Sequence, residues 1–145
     1  MKKITVTLEK RENRSYDILI GTDILDRIGC LIAKSRIAER YIIISDERVA
    51  EIHGRRTLDA LSAAGLSVSL LTFPPGESSK NMAACLDLIG RLVEQDLDRQ
   101  SALIALGGGV TGDMTGLIAS LFMRSIPYIQ MPTSLLAMVD SSIGG

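Results

Sequence analysis

A glycine-rich turn holds the residues best suited to chemistry in this chain. The apolar run at residues 102–106 ends at Gly107, Gly108 and Gly109, and a segment of helical character follows. Glycine lets the backbone approach an anion closely, and the first free N–H groups of a helix, aided by the helix dipole, favour negative charge. This order of strand, turn and helix predicts a site for a phosphate or pyrophosphate group, and hence for a nucleotide or a phosphorylated ligand.

The spacing of the glycines leaves two interpretations of this turn open. Gly107, Gly109 and Gly112 match the pattern GxGxxG, which is a weak signal by itself. The dinucleotide-binding version opens the first βαβ unit and has an acidic residue roughly 20 positions later. Here the turn follows a late strand, and the next strand ends at Gln130. The turn could serve only tight packing of strand on helix. Three consecutive glycines, followed by Asp113 in the first helical turn as a partner for the helix dipole, a ribose or an amide, favour ligand binding.

A second polar cluster, at residues 76–80, follows another predicted strand. Glu77 could supply the ribose contact that is missing after the glycine turn, with Lys80 as a cation beside it. The alternative is a solvated loop in which Ser79 caps the next helix. Arg124, after a mostly apolar helix, could bind a phosphate or simply cap the end of that helix, and its spacing does not separate the two.

Metal and nucleophilic chemistry find little support in the sequence. His53 is the only histidine and Gly54 follows it, which is typical of a structural histidine in a last helical turn. One histidine without an acidic cluster cannot form a catalytic zinc site, which needs three protein ligands. No set of nucleophile, base and orienting group is evident. We therefore predict no metal site in these residues, and a nucleotide-binding domain without catalytic machinery of its own.

The elements that must position these residues alternate between strand and helix. We predict strands at residues 4–8, 16–20, 41–44 and 67–73, a strand that ends at residue 106, and a strand at 126–131. Predicted helices cover residues 22–34, 46–65 with a break at Gly54, 80–98, the stretch after the glycine turn to residue 123, and 133–140. The alternation predicts an α/β domain over residues 1–145, with a Rossmann-like, mostly parallel sheet and helices on both faces. Residues 4–8 and 16–20 could add an N-terminal β-hairpin at the edge of that sheet.

The helix at residues 80–98 carries the strongest periodic signal. Apolar residues at spacings of three and four predict one shared face, made of Met82, Leu86, Ile89, Val93 and Leu97. Gly90 inside this helix costs up to about 1 kcal/mol relative to alanine, so we expect a neighbouring element to pack closely there.

Parallel strands bring their carboxyl ends to one edge of the sheet, where α/β proteins bind ligands. Four polar clusters are expected at that edge, namely residues 45–46, 75–80, 107–113 and 133–134. Their convergence predicts a binding site on this rim.

Composition limits the remaining function classes. The 145 residues include 16 basic and 17 acidic ones, and a net charge of −1 argues against nucleic acid or an anionic membrane as the main partner. No signal segment is evident, and no apolar run approaches the ~20 residues that span a bilayer. Cys30 and Cys85 lack CxxC spacing and are expected to be reduced thiols in the core. We predict a cytoplasmic protein.

From Leu106 onward the chain resembles the 3-dehydroquinate synthase family. The similarity is carried by Leu106-Gly-Gly-Gly-Val-Thr-Gly-Asp113, Met123-Arg-Ser-Ile-Pro127, Ile129-Gln-Met-Pro-Thr-Ser-Leu-Leu136 and Val139-Asp-Ser-Ser-Ile-Gly-Gly145. It is dense from residue 102 and looser over residues 45–80, where Gly76-Glu77-x-x-Lys80 is similar to the family's adenosine-side motif. The resemblance implies an NAD-dependent lyase of the shikimate pathway. Such an enzyme uses a divalent metal, zinc or cobalt, eliminates phosphate from a seven-carbon sugar-acid phosphate and closes a carbocycle.

The same resemblance implies roles for individual residues. The adenosine side of NAD is held by residues that match Asp46, Glu77 and Lys80. The pyrophosphate and the nicotinamide ribose are wrapped by residues that match Gly108, Gly109, Val110, Thr111, Gly112 and Asp113. Two further NAD contacts match Thr133 and Ser134. Asp140 matches a carboxylate at the substrate and the nicotinamide, and Arg124 matches an arginine that reaches a neighbouring subunit's phosphate site, which implies a homodimer.

The chain also departs from the family pattern. Pro75 stands where the family often has aspartate, and Ser134 where it often has threonine; neither loss should abolish binding. The family continues past the position of Gly145 with a lysine and a helical domain, whose glutamate and two histidines bind the metal. That C-terminal domain is absent from these residues, so we expect an NAD-binding half that cannot catalyse the reaction alone.

Two other functions stay open at this point. One is another NAD-dependent sugar-phosphate cyclase, forming inosose or valiolone-type rings. Those relatives share the glycine turn but usually lose the run that stands here as Ser141-Ser-x-Gly-Gly145. The other is a non-catalytic module for NAD binding or dimerisation.

Overall fold

A computed structural model describes residues 16–143 of the chain. Within that range the strands are β1 (Arg40–Asp46), β2 (Ser67–Phe73), β3 (Ser101–Gly107) and β4 (Tyr128–Pro132). The helices are α1 (Ile24–Ser35), α2 (Glu47–Val49), α3 (Arg55–Ala63), α4 (Met82–Glu94) and α5 (Gly109–Leu121). Short 3₁₀ turns cover Glu77–Ser79 and Phe122–Arg124, and π-helical turns cover Ala50–Gly54 and Ala137–Ser141.

The described strands form one parallel sheet in the order β2-β1-β3-β4. Side chains of a strand alternate between the two faces, and both faces are covered by helices. Ile42 and Ile44 of β1 pack with α4 and α5, whereas Tyr41 and Ile43 pack with α1 and α3. The predicted α/β fold with a mostly parallel sheet and helices on both faces is confirmed. The continuous apolar run in β1 reflects burial on both sides.

Two glycines show how closely the helices approach their neighbours. A methyl group on Gly29 of α1 would lie 2.8 Å from the Ala64 side chain and would collide with the carbonyl of Ala60 on α3. Gly54 was predicted to break a helix, but its φ of −59° and ψ of −50° are helical. A methyl group on Gly54 would lie 3.2 Å from Leu70 of β2. The close approach to the sheet therefore limits the size of the side chain at position 54. The chain continues from the π turn into α3 without interruption.

The apolar face predicted for α4 only partly coincides with the buried face; Ile89 of the predicted set packs against the core. The buried residues of this helix are Cys85, Leu88 and Leu92, while Met82, Leu86 and Val93 are exposed. Both sets follow spacings of three and four, because α4 carries apolar residues on more than one side, and periodicity alone could not choose between them.

The ends and the glycine of α4 also differ from the prediction. Asn81 caps the helix through a hydrogen bond from the Ala84 amide to Asn81 Oδ1 (2.9 Å), and the helix ends at Glu94. Leu97 lies beyond the helix yet is buried in the core. A methyl group on Gly90 would have no neighbour within 4 Å, so close packing does not explain this glycine.

Two further expectations are corrected near the start of the described range. Residues 16–20 form no strand; they have no strand partner among residues 16–143, and Ile20 is 93% exposed. The other half of the predicted hairpin, residues 4–8, lies outside the described residues. Cys85 is buried as expected, but Cys30 is exposed, because α1 turns Ile28, Gly29 and Ile32 inward instead.

The two helical glycines Gly29 and Gly90 predict opposite effects on stability. Gly29→Ala should lower the free energy of unfolding by about 1–3 kcal/mol, because α1 must move away from α3. Gly90→Ala should raise it by up to about 1 kcal/mol, because the added methyl group meets open space and alanine favours the helix. Urea unfolding at one fixed, low protein concentration measures both. Equal effects of the two substitutions would contradict the packing described for α1 and α3.

Candidate functional site

The candidate site lies where the carboxyl ends of β1 and β3 diverge. The connection from β1 to β2 crosses one face of the sheet, and the connection from β2 to β3 crosses the other face. Ligands are therefore expected in the crevice between the carboxyl ends of β1 and β3. Pairing of β1 with β3 ends at Ile44 and Ala105. Ser45 is fully buried just beyond this point, and its hydroxyl donates a 2.7 Å hydrogen bond to the carbonyl of Leu106. This bond holds the crevice at a fixed width. Residues 45–46 were expected at this edge, but the hydrogen bond from Ser45 to Leu106 was not predicted.

The glycine turn leaves three backbone N–H groups without an acceptor. Gly108 is extended, α5 begins at Gly109, and the carbonyl of Gly108 accepts the first helical bond from the Gly112 amide at 3.0 Å. The N–H groups of Gly109, Val110 and Thr111 have no acceptor among residues 16–143. Together with the positive end of the helix dipole, these donors favour negative charge beside the turn.

The glycines of this turn divide into two kinds. A methyl group on Gly107 would collide with the Thr111 side chain, and one on Gly112 would lie 2.8 Å from Gln130 Oε1. Gly107 and Gly112 are therefore required by packing. A methyl group on Gly108 would lie 3.4 Å from Ser134 Oγ, and one on Gly109 would lie 3.2 Å from Ser141 Oγ, so both would meet side chains rather than backbone. Packing therefore accounts for Gly107 and Gly112, whereas ligand binding at Gly108 and Gly109 stays a prediction.

An ion pair joins the loop after β2 to α5. Lys80 Nζ lies 2.7 Å from Asp113 Oδ2 and 3.9 Å from Glu77 Oε1. The hydrogen bond and charge of Asp113, with a smaller contribution from Glu77, raise the pKa of Lys80 above its ordinary value. The sequence analysis placed Asp113 in the first turn of α5. In the structure Asp113 is the fifth residue of α5 and lies past that turn. The pair was not predicted, because the two residues are far apart in sequence and no local pattern links them.

Asp46, Thr133 and Ser134 lie on the same edge of the sheet. Asp46 ends β1, and its Oδ1 accepts a 3.0 Å hydrogen bond from the Val49 amide, so it also caps α2. The Thr133 amide donates to the carbonyl of Gly107 at 2.9 Å, which ties the end of β4 to the glycine turn. Ser134 Oγ accepts a weaker bond from the Ala137 amide at 3.3 Å.

Asp140 and Arg124, the two residues that the resemblance implies for contacts with substrate or phosphate and hence for catalysis, are far apart in this chain. Asp140 is exposed in the π turn Ala137–Ser141, which packs against the start of α5. Arg124 is exposed just beyond the other end of α5, a helix of 13 residues and hence about 20 Å in length. The structure places Asp140 on the edge with the glycine turn and Arg124 near the opposite edge.

No group of three metal-binding side chains occurs within residues 16–143. His53 lies in the turn Ala50–Gly54, where its carbonyl accepts a 2.9 Å hydrogen bond from the Thr57 hydroxyl. Thr111 and Thr115 are buried, and their hydroxyls lack partners in the described part of the chain. None of the helices there has the length and apolar character to cross a membrane.

The Lys80–Asp113 pair predicts a measurable titration. In the wild-type chain the pKa of Lys80 should lie above 10.5, and Asp113→Asn should lower it because the largest stabilising partner of the ammonium is removed. Glu77→Gln is the matched control and should have a smaller effect. Since the folded pKa is raised, the stability from this pair is complete below pH 10.5 and is lost only as the pH rises through the folded value. Carbon-13 NMR of the Lys80 Cε resonance measures all three titrations. An unchanged pKa in Asp113→Asn would show that the pair does not form.

Comparison with known proteins gives a consistent result. A family model described as 3-dehydroquinate synthase N-terminal matches residues 70–145. The 3-dehydroquinate synthase of Enterococcus faecalis is 46% identical over 143 residues, which are 99% of this chain and 39% of that protein. The chain therefore spans well under half the length of this curated relative.

Two solved structures share the fold over most of the chain. The 2-deoxy-scyllo-inosose synthase solved with carbaglucose-6-phosphate, NAD⁺ and Co²⁺ has a TM-score of 0.76 and 30% identity, over 83% of this chain and 32% of that one. The 2-epi-5-epi-valiolone synthase from Streptomyces hygroscopicus, with NAD⁺ and Zn²⁺ bound, has a TM-score of 0.80 and 28% identity, over 96% and 38%. On the strength of the family match and the sequence identity, this chain belongs to the 3-dehydroquinate synthase family.

Proposed function

We propose that this chain is the NAD-binding part of a 3-dehydroquinate synthase. The whole protein would convert a seven-carbon sugar-acid phosphate (DAHP) to 3-dehydroquinate, with elimination of phosphate. The observation that carries the proposal is the set of three N–H groups at the start of α5 that have no acceptor within residues 16–143. They follow the glycine turn at the diverging ends of β1 and β3. A dinucleotide pyrophosphate carries the charge and the acceptors that these donors lack.

The residues present fit NAD. The pyrophosphate would lie against Gly108 and Gly109, where any side chain would occupy the cradle, and accept from the first N–H groups of α5. Asp46 and Glu77 would accept hydrogen bonds from the hydroxyls on the adenosine side. NAD, when bound, supplies a reversible acceptor for hydride.

Lys80 and Asp113 have a common task in this proposal. Their ion pair is about two-fifths exposed on each side, so its stabilising effect is reduced by solvent screening. It links the adenosine-side loop to the helix that holds the pyrophosphate, and thereby limits the distance between the two. Both side chains keep further donors or acceptors for a ligand, because an ammonium has three protons and a carboxylate four lone pairs.

The residues after β4 complete this edge of the site. The Ser134 hydroxyl lies beside Gly108 and can donate to a bound ligand while its oxygen accepts from Ala137. Thr133 fixes the end of β4 through the Gly107 carbonyl and would contact NAD. Asp140, exposed on the adjoining turn, would contact the nicotinamide end and the substrate. A divalent metal, zinc or cobalt, would be held by the part of the protein that lies outside this chain and would polarise the oxygen that is oxidised.

The position of Arg124 supports a dimeric arrangement of subunits. Because it lies about the length of α5 away from the glycine turn of its own chain, it would act at the phosphate site of a second copy. The protein would then be a homodimer. We also propose a cytoplasmic location, in keeping with a biosynthetic enzyme whose two cysteines are free.

A second candidate is a sugar-phosphate cyclase that forms an inosose or a valiolone. The two solved structures of such cyclases support it, at 28% and 30% identity. The 46% identity with a 3-dehydroquinate synthase and the family match favour the first function.

NAD binding tests the glycine cradle directly. The chain should bind NAD in isothermal titration calorimetry, and Gly108→Val should weaken this binding at least tenfold, because the new side chain covers the free N–H groups. Gly90→Ala, whose methyl group meets open space on α4, is the matched control and should bind as the wild type does. Equal affinity of Gly108→Val and wild type would place the cofactor elsewhere.

We expect this chain alone to be catalytically inactive, because the proposal assigns the metal site to another part of the protein. The 145 residues alone should release no phosphate from DAHP in the presence of NAD and zinc or cobalt, because the proposed metal ligands lie outside them. A colorimetric phosphate assay, with a full-length 3-dehydroquinate synthase as the positive control, measures this. Turnover by the chain alone would refute the proposal that a second domain is required.

A further inference from the structure

The hydroxyl group of Ser141 lies beside the glycine turn, although no ligand contact was predicted for it. A methyl group on Gly109 would lie 3.2 Å from Ser141 Oγ, which places this oxygen against the first residue of α5. Ser134 Oγ has the corresponding position beside Gly108, where a methyl group would lie 3.4 Å away. Two hydroxyl groups therefore stand next to two adjacent glycines, close to the N–H groups that have no acceptor within residues 16–143.

One short segment of the chain supplies both hydroxyl groups. It begins at Ser134, just after β4, and ends in the π turn Ala137–Ser141. The Met138 amide donates to the Ser134 carbonyl at 3.0 Å. The Ser142 amide donates to the Ala137 carbonyl, also at 3.0 Å. These backbone bonds fix the segment, so both serines hold their positions beside the start of α5.

Each of these hydroxyl groups has a proton to donate. Ser134 Oγ accepts a hydrogen bond from the Ala137 amide at 3.3 Å, which leaves its own proton available. Ser141 is half-buried, and its hydroxyl group forms no hydrogen bond with any of residues 16–143. A polar group that leaves water without gaining a partner costs free energy. The Ser141 hydroxyl is therefore available to a ligand that accepts hydrogen bonds.

The start of α5 carries a further polar group without a partner. Thr111 is 1% exposed, and its Oγ1 has no hydrogen-bond partner in the described part of the chain. This side chain lies in the first turn of α5 and faces the backbone of Gly107. Buried polar groups nearly always have a partner, and ordered water or a ligand supplies one where the protein does not. This observation is independent of the helix dipole and also favours a polar molecule at the glycine turn.

The donors around the turn fit an anion with several oxygens. They approach from two sides, since the N–H groups of Gly109, Val110 and Thr111 belong to α5 and the hydroxyl groups belong to the segment after β4. The N–H groups are fixed by the helix, whereas a hydroxyl proton can rotate towards an acceptor. A pyrophosphate carries negative oxygens on two linked phosphoryl groups, so it can accept hydrogen bonds from both sides at once.

We propose that Ser141 is a further binding residue for the dinucleotide, and that its hydroxyl group donates a hydrogen bond to the pyrophosphate at the start of α5. The inference rests on the proposed function, because it concerns the same cofactor site. It goes further by giving Ser141 a second effect. Since Ser141 directly follows Asp140, the bond fixes the turn that carries this carboxylate once the cofactor is bound. Cofactor binding and the placement of Asp140 are thereby linked through one side chain.

Isothermal titration calorimetry of the whole chain with NAD and, separately, with inorganic pyrophosphate tests the contact. Ser141→Ala should weaken the binding of both about tenfold, because a hydrogen bond to a charged oxygen is lost. Ser141→Thr keeps the hydroxyl group and should bind nearly as tightly as the wild type. Ser120→Ala is the matched control, because that hydroxyl donates to the Leu117 carbonyl at 2.7 Å in the second half of α5, and its affinity should be unchanged.

Amide hydrogen exchange separates a direct contact from a structural effect of the substitution. The Ile143 amide donates to the Asp140 carbonyl at 2.9 Å and so reports on the order of this turn. At saturating NAD its exchange should slow in the wild type and in Ser141→Thr, but not in Ser141→Ala. Equal slowing in all three chains would show that Ser141 does not link the cofactor to the turn.

The outcomes separate this inference from the proposed function. Equal affinity of Ser141→Ala and the wild type for both ligands would overturn the inference and leave the proposed function intact. A wild type that binds pyrophosphate but not NAD would contradict the proposed function, and the pyrophosphate affinity of Ser141→Ala would then decide the inference. A wild type that binds neither ligand would overturn both. Far-UV circular dichroism checks that each variant is folded, and Ser141→Gly serves where the alanine variant is not.

Discussion

The pairing of β1 with β3 is the constraint on which the site depends. It sets the two neighbouring strands whose carboxyl ends lead to opposite sides of the sheet, and so creates the crevice. Beyond the last paired residues the strands would be free to separate or close. The buried Ser45 hydroxyl, bonded to the Leu106 carbonyl at 2.7 Å, fixes that distance. The glycine turn, Asp46 and the loop that carries Lys80 all take their positions from this point.

The glycine turn combines two requirements that a sequence pattern cannot separate. Gly107 and Gly112 leave room for Thr111 and Gln130, so they serve the packing of α5 on the sheet. Gly108 and Gly109 lie beside the hydroxyl groups of Ser134 and Ser141, next to the N–H groups that have no acceptor within residues 16–143. The residues that seat α5 against the sheet therefore also determine where these N–H donors point.

The sequence was informative where one physical demand dominated, and misleading where several competed. The strands β1 and β3 were predictable because burial on both faces needs continuous apolar runs. The buried face of α4 was not, because this helix has two apolar sides and only the sheet decides which is covered. Gly54 and Gly90 were misjudged because a glycine's role depends on neighbours that are distant in sequence. The residues on the carboxyl edge followed from topology and resemblance, but the Lys80–Asp113 contact required three-dimensional coordinates.

The order of the strands has a consequence for how the chain folds during synthesis. Ser45 and Leu106 are 61 residues apart, and β3 must insert beside β1 after β2 and α4 have been made. Until then the backbone of the isoleucine-rich strand β1 has unpaired N–H and C=O groups on the side that β3 will cover, and such an edge is a template for aggregation. Such long-range pairing makes folding slow, because the entropy of closing the loop is lost before the contacts form. A nascent chain released before residue 107 would lack the strand that completes this sheet, which makes it a natural substrate for chaperones.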